Sequence, residues 1–201
     1  MNTALKHPSL AVALTVVLGF VGSAQTPKTP QDRDTPDFRV EVWGDIVAEF
    51  STRVSSYVEL RGELEKGLPA LTLTDRPEEI RRAERALARR IRAARAKAKQ
   101  GDIFTPTISV EFRKALLVVM DAETWAAIMD DNPGTFSVRI NGTYPEKRPL
   151  STVPPNILAA LPQLPDDVEY RFVGPHLVLF DTRARVLLDG IAYAIPARGR
   201  R

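Results

Sequence analysis

The chain has 201 residues, a formal charge of +3, 44% hydrophobic residues and no cysteine. That length suffices for one domain with a real core, and so small a net charge argues against wholesale nucleic-acid binding. The absence of cysteine excludes disulfides, Cys–His catalysis and thiolate zinc sites, so stability must come from packing.

The chain opens MNTALKHPSLAVALTVVLGFVGSAQTPKTP. Lys6 and His7 form a short polar stretch, and Leu10 to Val21 is an apolar run of 12 residues. A helix needs roughly 20 to cross a bilayer. Gly22, Ser23 and Ala24 follow, then the polar Gln25. This is the pattern of a secretory signal over residues 1–24, cleaved after Ala24; an uncleaved anchor is the alternative. Arginine outnumbers lysine 21 to 7 and alanine is frequent, a composition that fits a GC-rich bacterial genome. The expected location is periplasmic or extracellular, with no transmembrane segment left after cleavage.

Residues 25–36, QTPKTPQDRDTP, hold three prolines and no large apolar residue, as a solvated leader does. A single domain is expected over 37–196, followed by a basic tail at 197–201. Val47, Phe50, Val54, Tyr57 and Leu64 recur at helical spacing and predict a helix from about 45 to 66, ended by Gly67 and Pro69. DFRVEVW before it alternates, and is either a short strand or an extension of that helix.

A second helix is expected in TLTDRPEEIRRAERALARRIRAARAKAKQGD, capped by Thr74 or Asp75 and stopped by Gly101. Its apolar stripe is Ile80, Ala83, Leu87, Ile91, Ala94 and Ala98. The first two helices then form an antiparallel hairpin packed along the alanines. Thr105 and Pro106 open a third helix over about 107–120, and Asp121 starts a short one ending near Asp130.

Beyond Pro133-Gly134 the period changes. Phe136, Val138 and Ile140 alternate with polar residues, Asn141-Gly142 is a favoured hairpin turn, and Pro145 marks an edge strand. PPNILAALPQLP is a helical turn between prolines. VEYRFVGPHLVLFDTRARVLLDGI then gives three short strands, about 168–173, 177–181 and 185–189. The all-apolar second strand is expected to be central and covered on both faces. Helices first and strands after predict an α+β fold: a helical hairpin and a third helix packed on a small C-terminal antiparallel sheet.

GDIFTP with EFR, MDDNPG, RINGTYPE with PLSTVPPNILAALPQLP, and EYRFVGPHLVLFDTRA together resemble a family of uncharacterised exported bacterial proteins. The resemblance covers roughly residues 46–195. It implies a signal peptide and one small domain, and carries over no activity and no functional residues. The last 30 residues also loosely resemble the C-terminal hairpin of some periplasmic metal-homeostasis proteins.

Several constellations could carry chemistry. A metal could take His176, Asp181 and Asp189. However, His176 and Asp181 stand at opposite ends of a strand, about 16 Å apart at roughly 3.3 Å per residue, so turn residues flanking a hydrophobic sheet is the preferred reading. Asp130-Asp131 and Asp166-Asp167 could act as acid pairs in a hydrolase of a cell-wall or sugar polymer, although adjacent carboxylates in turns usually just face water. Trp43, Trp125 and Tyr144 could line a groove, but core is the simpler reading. There is no G-x-S-x-G elbow and no phosphate loop.

The strongest functional hint is the basic helix. From Arg76 to Lys99 there are ten Arg or Lys against three Glu. Arg81, Arg85, Arg89 and Arg92 share one face and are the candidate binding residues. Such a stripe suits an anionic envelope component or an acidic protein; a merely solvated face is the alternative. No cofactor and no metal are expected. The leading expectation is a non-enzymatic exported binder, with the carboxylate hydrolase as the alternative.

Overall fold

A computed structural model describes residues 36–68, 76–137 and 139–196, with side chains from residue 39 onward. The expected signal segment, most of the leader, Thr74, Asp75 and the tail lie outside the described residues; the N-cap of the second helix is Arg76, which makes no side-chain capping bond, and neither Thr74 nor Asp75 holds that position. Within them, five helices precede a three-stranded antiparallel sheet, an α+β fold with its helices first.

Helix α1 runs Pro36–Glu65. DFRVEVW extends this helix and is no strand, so the expected start at 45 is too late. The reason is continuity of one face. Val42 and Trp43 pack against the core on the stripe that continues through the buried Ile46, Phe50, Val54, Tyr57 and Arg61. Ile46, not Val47, is the inward residue, and the stripe ends on a buried cation.

Helix α2 runs Pro77–Ala94. It buries Leu87, Ala88 and Ile91, while Ile80 and Ala94 stand exposed. The alanine stripe therefore packs only in its middle. The two helices run antiparallel: Arg53 of α1 donates to the Asp102 carbonyl, whereas Arg90 of α2 donates to the carbonyls of Leu64 and Lys66 at 2.8 and 2.9 Å. Arg90 thus satisfies carbonyls that the end of α1 leaves without helical partners.

Helix α3 (Pro106–Val119) is capped by Thr105, and α4 (Ala122–Asp130) by Asp121, whose carboxylate accepts from the Thr124 amide at 2.7 Å. Both caps fall where the spacing predicts. Helix α5 is the short turn Pro155–Ala160. Phe50, Phe104 and Phe112 meet in an aromatic cluster, with ring centroids 4.9–5.5 Å apart, where α1, α3 and the loop before α3 converge.

The sheet comprises β1 (Val168–Val173), β2 (His176–Asp181) and β3 (Val186–Ile191), in the order β1-β2-β3. Val168 pairs Asp181, and Leu177 pairs Ile191. Strand β2 is central. Its Leu177 and Leu179 face the helices, and its Val178 and Phe180 face a second small cluster around Tyr144. A bulge steps the register from Leu179↔Asp189 to Phe180↔Leu187 and leaves Leu188 outside the ladder.

Among the described residues of 136–145 no hairpin forms. The turn falls one residue earlier than expected, on Ile140-Asn141, with the Gly142 amide donating to the Arg139 carbonyl at 2.9 Å, and a Cβ on Gly142 would lie 2.7 Å from that oxygen. The flanking residues pair with β3 instead of with each other. Asn141 N–H donates to the Leu187 carbonyl, Leu187 N–H to Gly142, and Tyr144 N–H to Arg185; Thr143 bridges Val186. The segment thereby covers an edge that a lone hairpin would have left open. On the other edge the Ser151 hydroxyl stands in for a strand, donating to the Phe172 carbonyl and accepting its N–H at 2.9 and 2.8 Å. Among the described residues no helix is long and apolar enough to cross a membrane.

Candidate functional site

The two aspartates of the C-terminal strands are fully buried; Asp181 closes β2 as expected, whereas Asp189 is no turn residue. Asp189 lies inside β3, two residues before its end, and so does not close the strand. It pairs Leu179 and therefore faces the helices. Its carboxylate accepts backbone N–H bonds from Gly101, Ile103 and Phe104 at 2.7–3.2 Å, and from Gly190 at 2.7 Å. One side chain thus fixes the whole loop between α2 and α3 to the sheet, and saturates its own lone pairs doing so.

Asp181 binds the other helix. Tyr57 Oη donates to its Oδ2 at 2.6 Å, Arg61 Nη1 lies 3.2 Å from the same oxygen, and the Ala184 amide donates to Oδ1 at 2.7 Å. Burial, and then the neighbouring Asp181 charge, hold the Tyr57 phenol far above its ordinary pKa. Arg95 lies over the Tyr57 ring, 5.3 Å from its centroid, and donates to the Leu188 carbonyl that the bulge releases. Arg61 also approaches Glu65 and Asp167, and Arg183 approaches the same two carboxylates. These groups latch α1 to the sheet, although Glu65 Oε1 and Arg95 Nη1 are buried without a hydrogen-bond partner.

His176 is remote from this chemistry. Its Nδ1 accepts the Tyr193 amide at 3.0 Å, and burial lowers its pKa. Among the described residues no group of three or more His, Asp or Glu converges as a metal centre.

The two acid pairs are not brought together. Asp131 accepts from the Thr152 amide and hydroxyl and is followed by Asn132, which clamps the Gly174 turn at the end of β1. Asp167 sits before the start of β1, paired with Arg61 and Arg183. A six-residue strand separates the pairs by roughly 17–20 Å. Trp43 packs on Phe112 with centroids 5.9 Å apart, Trp125 packs against the same core, and Tyr144 is buried under the far face of the sheet; they line no common groove.

A cleft of about 710 Å³ lies between α5 and β1. Its charged residues, Glu169 and Arg171, are paired with each other, and the Tyr170 hydroxyl donates to the Pro162 carbonyl. It presents no free charge.

The basic helix differs. Arg81 pairs with Glu78, three residues before it. Arg85, Arg89 and Arg92 are exposed and engage in no ion pair or side-chain hydrogen bond among the described residues. They line a cleft of about 230 Å³ together with Arg185, Thr143, Glu84 and Glu146. Arg185 comes from the β2–β3 turn, about a hundred residues away, and spacing along α2 could not have found it. The segment holding Thr143 is brought there by its pairing with β3. Asn141 anchors it, donating from Nδ2 to the carbonyls of Arg92 and Arg95 at 3.1 and 2.8 Å and so closing the end of α2.

The chain matches no protein-family model, no curated protein and no solved structure.

Proposed function

We propose that the protein is an exported, non-enzymatic binder of an anionic envelope component, a member of the exported bacterial family its sequence resembles, and that the exposed arginine face of α2 is its contact. One observation carries this reading: Arg85, Arg89 and Arg92 are exposed and make no ion pair or side-chain hydrogen bond among the described residues, while most buried or half-buried charges described above are engaged in holding the fold. Structural arginines in this chain find carbonyls or carboxylates, as Arg61, Arg90, Arg95 and Arg113 do. A cationic face held open in this way raises the local concentration of anions. The apolar run at residues 10–21, followed by Ala24-Gln25, supports export.

The test is affinity capture from an envelope extract at low and moderate salt. The baits are the native chain and a variant with Arg85, Arg89 and Arg92 changed to Glu. An anionic component held by the native chain and lost by the variant is the expected result. Equal capture by both would move the contact off α2. N-terminal sequencing of the protein recovered from the cell exterior should begin at Gln25.

A further inference from the structure

We propose that the cleft between α2 and the β2–β3 turn is a binding site for a phosphate group, formed by Arg85, Arg89 and Arg92 from the helix and Arg185 from the sheet. This rests on the α2 reading and narrows it from a charged face to a pocket with a defined ligand chemistry.

Three observations converge on Arg185. Its backbone is left-handed, φ 51°, at a position where glycine or asparagine is the low-strain choice. A long side chain kept at such a site is a sign of a role for the side chain. Its Nε is buried and finds no protein acceptor, although the rest of the residue lines the cleft. The backbone around it is fixed regardless of the side chain, because the Tyr144 amide donates to its carbonyl at 2.8 Å.

The charge balance selects the ligand. Four guanidiniums and two carboxylates, Glu84 and Glu146, line the cleft, a local formal charge of +2. A phosphomonoester carries about −1.5 to −2 at neutral pH. No lysine contributes, and guanidinium forks match phosphate oxygens bidentately where an ammonium offers only a point charge. The volume, about 230 Å³, is below the roughly 300–1,000 Å³ of sites that engulf a whole drug-sized ligand. It admits a phosphorylated headgroup or the end of a polymer, not a chain. Glu84 is partly desolvated beside Glu146, and that burial, more than the neighbouring charge, raises its pKa. An incoming phosphate would meet this pair at the cleft wall.

The same phosphate chemistry could come from a lipid headgroup or from a free phosphate. The experiment therefore uses two probes on the full-length chain: pyrophosphate, and phosphatidylcholine vesicles with and without phosphatidic acid. Binding is read by calorimetry and by co-sedimentation, for the native chain and for the Lys114→Gln, Arg89→Gln, Arg185→Gln and Arg185→Gly variants. Binding of either probe is expected to weaken by roughly tenfold or more in R89Q and R185Q, the loss of one charge-assisted contact, and to stay within about twofold in K114Q, which removes a surface charge of α3 that pairs with Glu111 and lines no part of the cleft.

Arg185→Gly guards against misfolding, because glycine relieves the left-handed strain. Its melting temperature should be no lower than native while binding is lost. Loss in R89Q with full retention in both Arg185 variants would overturn the cleft and leave the α2 face standing. No binding of pyrophosphate or anionic vesicles to the native chain, together with loss of envelope capture, would overturn both. Equally tight binding of poly-glutamate would overturn the phosphate assignment alone. Pyrophosphate binding without vesicle binding, with the same variant pattern, would support the site with a free phosphate as its ligand; the reverse would support it with a lipid headgroup.

Discussion

Tyr57 Oη donates to Asp181 Oδ2 at 2.6 Å across 124 residues of sequence, joining the middle of the first helix to the end of the central strand. The bond is buried and the same carboxylate oxygen also receives Arg61. Tyr57→Phe should cost about 1–3 kcal/mol, because it removes a donor and leaves a buried charge less well satisfied. Arg61→Met should cost more, about 3–5 kcal/mol, since breaking a buried pair strands its partner. Urea unfolding of both variants checks the order; a Tyr57→Phe loss equal to or above that of Arg61→Met would contradict it.

Asp189 makes a sharper case. Its carboxylate is the acceptor for four backbone N–H groups, and an unpaired buried donor costs roughly 1–3 kcal/mol. Asp189→Ala should therefore lower stability by about 4 kcal/mol or more, and Asp189→Asn by less, because one amide oxygen can still accept. The readout is a fall in the urea midpoint at unchanged slope. A loss below about 1 kcal/mol would show that the loop does not depend on this latch.

Much of this architecture was legible in the sequence. Thr105, Pro106 and Asp121 announce their helices because capping chemistry is local, and the apolar run Leu177–Phe180 announces a strand covered on both faces. The roles of Asp181 and Asp189 were not legible. A carboxylate in a strand reads as a turn or edge residue unless its partners are known, and those partners lie 85–124 residues away. The expected hairpin at 136–145 failed for a related reason: the turn at Ile140-Asn141 is local, but what its arms pair with is decided by the open edge of β3. In the candidate cleft, Arg85, Arg89 and Arg92 follow from helical spacing, whereas Arg185 does not.

Asn141 couples that turn to the basic helix. It is left-handed, φ 61°, and its amide closes the last carbonyls of α2. Asn141→Gly loses only the amide contacts and should cost about 1 kcal/mol. Asn141→Ala also meets backbone strain and should cost roughly 1–2 kcal/mol more. Thermal unfolding of the pair separates the two contributions; equal losses would mean that the backbone conformation is not held.

Stability should fall at both ends of the pH scale for identifiable reasons. Burial lowers the His176 pKa, so the unfolded chain takes up a proton first. The stabilisation is complete above the ordinary histidine value of about 6.5 and is lost as pH falls from there through the lower folded value. Protonation also ends the capacity of Nδ1 to accept the Tyr193 amide. At the alkaline end, burial raises the pKa of Tyr57 and Tyr170. Their contribution is complete below about pH 10 and is lost above it, as the unfolded phenols ionise and the folded ones do not. Urea midpoints across pH 5–11 should show both declines. His176→Gln should flatten the acid one; an unchanged acid limb would place its origin elsewhere.

The most direct measurement is the salt dependence of binding to a linear polyphosphate, compared between the native chain and the variant with Arg85, Arg89 and Arg92 changed to Glu. If α2 is the contact, the native chain binds at low salt and weakens steeply as salt rises, because displaced counterions drive the association. The variant then shows no binding at any salt. Binding of equal strength and equal salt dependence in the variant would contradict the account, and would show that the exposed arginines of α2 are only a solvated face.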